Sequence, residues 1–138
     1  MILPSMNRRN KMGLDMYLTA RKGRGKKEEI GYWRKHHDLH GYFTQLWIDK
    51  GKPMSKKLRE KRTKDGYNDF NCIPLKLTFK DIEQLEKDIK AHKLPPTEGF
   101  FFGYNPPDKE SEKEDLEIFG RAKEKLLEGF IVEYFSWW

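Results

Sequence analysis

MGLDMYL (12–18) is the stretch from which the fold is read, because Leu14, Met16 and Leu18 alternate with Asp15, Tyr17 and Thr19. A period of two places successive side chains on opposite sides of a strand, so this segment reads as a strand with one wet face. Downstream, RKGRGKKEE (21–29) combines two glycines with dense charge and reads as a turn or exposed loop. From Trp33 the period changes. Leu39, Phe43, Leu46 and Trp47 fall at i, i+4, i+7 and i+8, which predicts a helix over about 33–49, ended by Gly51 and Pro53.

Further along, CIPLKLT (72–78) reads as a strand, and Pro74 argues for a sheet edge or a strand start. Two helices are signalled by capping boxes. Thr78 with Asp81 precedes Ile82, Leu85 and Ile89, and Ser111 with Glu114 precedes Leu116, Phe119, Ala122 and Leu126, with Gly129 as the stop. LPPTEGFFFGYNPP (94–107) reads as a short aromatic strand fenced by prolines, and FIVEYFSWW (130–138) as a closing strand rich in β-branched and aromatic residues. The expected order is strand, helix, strand, helix, strand, helix, strand. Short strands with connections that allow antiparallel pairing predict an α+β fold: a small, mainly antiparallel sheet of about four strands packed with about three helices. Residues 1–11 read as a flexible basic extension and 12–138 as a single domain with a basic loop or short helix at 50–66.

At 138 residues there is room for one core, and 19 aromatics allow it to be built from a composition only 36% apolar. No apolar run approaches the roughly 20 residues of a spanning helix. The N-terminal MILPSMNRRNK lacks the apolar stretch of a secretory signal, so the expected location is the cytoplasm, with no membrane partner. The single cysteine, Cys72, excludes an intrachain disulfide and a multi-cysteine zinc site, and its strand setting suggests burial.

Charge is segregated along the chain. Residues 1–65 carry 18 Lys/Arg and 7 Asp/Glu, a balance of +11, whereas residues 66–138 carry 10 and 15, a balance of −5. Such asymmetry speaks of partners more than of fold. Its densest block contains Lys50, Lys52, Lys56, Lys57, Arg59, Lys61, Arg62 and Lys64, which suit phosphate contacts without base reading, or equally an acidic protein surface.

The polar cluster GYWRKHHDLHGYF (31–43) places Trp33, Arg34, Lys35, His36 and His40 together. His36 and His40, four apart on the expected helix, share a face as two metal ligands do, but no third ligand joins them, so no metal is expected. They also flank the apolar stripe, which favours packed or hydrogen-bonded imidazoles. Arg34 and Lys35 beside His40 suit a phosphate or another anion. In GFFFGY (99–104) the aromatics read either as core or as rings on an open sheet that stack bases. No P-loop, GxGxxG or GxSxG motif is present, and no cofactor is expected.

MGLDMYL (12–18), GYWRK followed by His40 (31–40) and LPPTEGFFFG (94–103) together resemble a family of small tailed-phage proteins that begin MGLDMYL and carry GYWRK and GFFFG blocks. The aromatic-Ser-Trp ending is similar too. Some members carry a phosphoglycerate kinase label, with which the length and the missing nucleotide motifs disagree. The resemblance implies that Trp33, Arg34, Lys35, His40, Thr97, Gly99 and Gly103 are the positions to watch, and that Met12 is the usual start. The segment before Met12 and the basic block at 50–64 depart from the family pattern. The functional expectation is a phage-encoded binding protein of the host cytoplasm that modulates a host or defence component, its basic surface engaging nucleic acid or an acidic protein. The alternative is a nucleotide- or phosphorylated-ligand-binding protein or small enzyme using Arg34, Lys35 and His40.

Overall fold

The computed structural model describes residues 14–34, 36–65, 70, 72–94 and 109–137, of which 62–65 and 109 are described by backbone only. The elements run β1 (Asp15–Arg21), β2 (Glu28–Arg34), α1 (His37–Asp49), α2 (Lys56–Asp65), β3 (Leu75–Leu77), α3 (Phe79–Lys90), α4 (Lys109–Leu127) and β4 (Ile131–Trp137). Four strands form one antiparallel sheet in the order β2-β1-β4-β3, an α+β fold with four helices among the described residues.

The alternation at the start of the chain becomes β1, whose Met16, Leu18 and Ala20 are buried while Tyr17 and Thr19 face the other way. β4 repeats the pattern with Val132, Tyr134 and Ser136 inward. Leu75 and Leu77 extend the buried face on β3, the edge strand that follows Pro74. All the helices that reach the core lie over this one face. Leu39, Phe43 and Trp47 of α1, Ile82, Leu85 and Ile89 of α3, and Phe119 and Ala122 of α4 join the strand residues in one cluster. Phe43 stacks on Tyr134 at 4.1 Å and Trp33 on Phe119 at 5.5 Å, which ties α1 and α4 to opposite parts of the sheet.

Local signals explain most boundaries. Thr78 and Asp81 form the expected capping box of α3, each side chain accepting from the other's backbone N–H. α4 stops where Gly129 adopts a left-handed φ of +90°. Two expectations are corrected. The helix expected from residue 33 begins at His37, because Trp33 and Arg34 belong to a strand over Glu28–Arg34 that the sequence reading leaves in a loop and helix. α4 is already under way at Lys109, so Ser111 sits inside its first turn instead of capping it; Glu110 and Glu112 complement the dipole there. The basic block, for which a loop or a short helix is expected, contains the helix α2, which brings the described helices to four. The expected strand within 94–107 and the 1–11 extension lie outside the described residues.

β2 is bulged opposite Leu18 and Thr19, whose partners are Gly31 and Glu29. The extra residue lets Ile30 and Gly31 both turn inward. At Gly31 a Cβ would lie 2.6 Å from Ile118 Cγ2, so α4 crosses β2 closely only because this residue has no side chain.

Candidate functional site

α2 is the most basic described element. Ser55 starts it by accepting the N–H of Leu58 on its Oγ at 3.1 Å, while its carbonyl accepts from Arg59 N at 2.9 Å. The approach is anchored by Trp47 Nε1, which donates to Pro53 O at 3.0 Å, and by Arg59, whose guanidinium donates to Lys52 O at 3.0 Å. Among the described residues of this segment, Met54 and Leu58 lean on the core. Lys56, Lys57, Arg59 and Lys61 are exposed, and 100° of rotation per residue spreads them around every side of the helix except that of Leu58. Among the described residues no carboxylate pairs with them.

The other members of the predicted basic set fall elsewhere. Lys50 is tied to Asp81 and donates to Lys76 O at 3.2 Å, and Lys52 is half-buried with its ammonium 5.8 Å from the Trp47 ring centre. The side chains of Arg62 and Lys64 lie outside the described residues.

The Trp-Arg-Lys-His cluster, by contrast, is dispersed. Trp33 points into the core and donates from Nε1 to Asp115 Oδ1 at 2.7 Å. His36 caps α1: its Nδ1 accepts from Leu39 N at 3.4 Å, which leaves the proton on Nε2 to be donated to Asp115 Oδ2 at 2.8 Å. Asp115, 4% exposed, thereby fastens α4 to the strand–helix corner. His40 lies deeper, stacked on Phe70 at 5.8 Å, with Nδ1 2.7 Å from the Tyr134 hydroxyl. Thr44 donates its hydroxyl proton to His40 O at 2.8 Å and stands 3.4 Å from Nε2. Burial, helped by repulsion from His37, lowers the His40 pKa to about 4, so this imidazole is neutral at pH 7. Burial likewise pushes the Tyr134 phenol up, keeping its proton available for Nδ1.

Arg34 is exposed and pairs with Asp15 across the strands, on the face opposite Trp33 and Met16. It is therefore separated from His40 by the sheet itself, and the two build no common pocket. Lys35, Thr97, Gly99 and Gly103 lie outside the described residues, as does the GFFFGY segment.

A cleft of about 80 Å³ opens where the start of α1, the end of α3 and the start of α4 meet, lined by His36, Asp38, Ile89, His92, Leu94, Ser111, Glu112 and Asp115. Asp115 is satisfied by Trp33 and His36, and Glu112 stands 3.3 Å from His92. Among the described residues no group of three or more His, Cys, Asp or Glu side chains is arranged to hold a metal ion. Nor is any of the described helices long and apolar enough to cross a membrane. Cys72 is half-buried, in a left-handed conformation with φ 62°, its N–H held by Ser136 O at 2.7 Å.

No family model, curated protein or solved structure matches the chain. Its function is therefore read from the chemistry of its own surfaces.

Two surfaces escape the sequence reading because β2 does. Pairing of β1 with β2 makes residues 21–27 a hairpin tip with five Lys or Arg in seven positions. Pairing also aligns Tyr32, Tyr17 and Phe135 across three strands on the face opposite the described helices, with Arg34, Asp15 and Trp137 in the next row. The readable signal is a Gly-rich basic turn between two runs carrying aromatic and β-branched residues, which is a hairpin pattern.

Proposed function

We propose that this chain is a nucleic-acid-binding protein that meets its partner's phosphates through the exposed basic helix α2. The observation that carries this reading is a contrast in pairing. Lys123 and Lys125 of α4 are held by Glu86 at 2.6 Å and Glu28 at 3.1 Å, whereas Lys56, Lys57, Arg59 and Lys61 stand exposed with no carboxylate partner among the described residues. Unpaired cations on a solvated helix attract polyanions by releasing counterions, an effect that needs no shaped pocket. The resemblance to small tailed-phage proteins supports the setting, a phage product acting on a host or defence component in the infected cytoplasm. The rival built on Arg34, Lys35 and His40 has less behind it, since Arg34 and His40 lie on opposite sides of the sheet.

The test is salt-dependent retention on heparin and on duplex DNA, for the full chain and for a variant with Lys56, Lys57, Arg59 and Lys61 changed to Gln. The variant is expected to elute at lower salt, with the log–log salt slope on duplex reduced by about 0.9 for each phosphate it no longer neutralises. Equal elution of the two proteins would sink the nucleic-acid reading. Failure to bind nucleic acid, combined with charge-dependent capture by acidic polypeptide, would replace it with the acidic-protein reading.

A further inference from the structure

We infer that the sheet face opposite the described helices, where Tyr32 is exposed beside half-buried Tyr17 and Phe135, is a stacking platform for the bases of a single-stranded nucleic acid; this rests on the nucleic-acid reading above and names the class of strand. The described helices lie over one face, the one built from Met16, Leu18, Trp33 and Tyr134. On the other, strand register sets Tyr32 opposite Tyr17 and Tyr17 opposite Phe135. With strands about 4.8 Å apart, three rings span about 10 Å across the sheet. Tyr32 is 46% exposed, and the Tyr17 and Tyr32 ring centres are 5.2 Å apart at a tilt of 48°.

The Tyr32 ring is held by a residue of the adjacent row. Its hydroxyl donates to Asp15 Oδ1 at 2.7 Å. Burial, this hydrogen bond and the nearby carboxylate charge push the phenol up to about 12, so the ring stays neutral in any ordinary buffer. A neutral, oriented phenol with an open π-face is what sequence-tolerant base stacking uses. Duplex DNA hides its base faces, which is why such a platform selects unpaired strands.

Charge complementarity supplies the second half of the case. The hairpin tip rises from the same two strands, about 13 Å from the aromatic row at the strand rise per residue. Glu133 on this face is neutralised by Arg21 at 3.6 Å and Lys27 at 3.8 Å. Arg24 and Lys26 are exposed and meet no carboxylate among the described residues. A strand stacked on Tyr32 would run its phosphates past these cations.

The experiment compares binding of the full chain to a thymidine oligonucleotide of about 12 nucleotides, a length within the range one small module covers, and to a duplex of equal length. Wild type is expected to prefer the single strand. Tyr32→Ala should weaken single-strand binding by roughly 5- to 100-fold and leave the duplex affinity unchanged, while Tyr32→Phe, which keeps the ring, retains the preference. Because Tyr32→Ala could disturb the sheet, photocrosslinking of the wild type to a bromodeoxyuridine oligonucleotide provides a separate readout, expected at Tyr32, Tyr17 or Phe135. Crosslinks confined to α2, or a folded Tyr32→Ala protein with undiminished single-strand affinity, overturn the platform. If duplex and heparin retention still respond to the α2 substitutions in that case, the binding function stands and only its strand preference falls. Absence of binding to any nucleic acid overturns both.

Discussion

α2 and α4 are both rich in lysine, yet the protein uses their charge in opposite ways. α4 carries a buried stripe of Phe119 and Ala122, and its polar groups are spent on its neighbours: Asp115 on Trp33 and His36, Lys123 on Glu86, Lys125 on Glu28, and Arg121 on Ile30 O at 3.2 Å. α2 rests on the core through Leu58 and presents its cations to solvent. Charge is thus scaffold in one helix and solvent-facing surface in the other. What separates them is whether an apolar stripe brings the helix close enough to a partner for its charges to be met.

Truncating the apolar anchor of each helix should give the largest effect and the clearest contrast. Phe119→Ala empties a fully buried site against Trp33 and Phe43 and should cost about 3–5 kcal/mol in urea unfolding. Leu58→Ala should cost less than about 1 kcal/mol, as for a half-exposed position. Similar losses from the two substitutions would mean that α2 is docked as firmly as α4.

A pH titration probes the scaffold side. His40 has a folded pKa near 4 against an ordinary value of 6.5, so the folded state disfavours its proton. Its contribution is therefore complete above pH 6.5 and is lost as pH falls toward 4, because the unfolded chain binds a proton that the native state refuses. The loss amounts to about 3 kcal/mol at full extent. His40→Gln should flatten the stability profile in that window, after the general effect of the carboxylates is subtracted by comparison with wild type. An unchanged slope would show that His40 is not held neutral in the core.

The smallest effect is expected on the other side. Changing Lys56, Lys57 and Lys61 to Gln should shift stability by no more than about 0.5 kcal/mol, since none of them is buried or paired with a described carboxylate. A larger loss would mean that these cations serve the fold.

Much of this architecture is legible in local chemistry. The β1 alternation, the α1 stripe of Leu39, Phe43 and Trp47, the Thr78–Asp81 capping box, the edge position after Pro74 and the β-branched closing strand all depend on neighbours a few residues apart. β2 is the instructive failure. Its bulge turns Ile30 and Gly31 inward together, which erases the strict alternation a strand shows, so EEIGYWR reads as the end of a loop and the start of a helix. With β2 misplaced, Trp33 and Arg34 fall on the same helix as His40. The strand instead sends Trp33 to Asp115 and Arg34 to the opposite side.

Periodicity, caps and composition are local properties of the chain, and from them the sequence alone shows which segments have an apolar side and where the charge lies. Which of those charges are free is settled by tertiary packing. Asp115 meets His36 across 79 positions, Lys125 meets Glu28 across 97, and Tyr32 meets Tyr17 only once β1 and β2 are in register. Such pairings depend on how elements distant in sequence pack, and a helix shows no sign in its own residues of which neighbour will come within hydrogen-bonding reach.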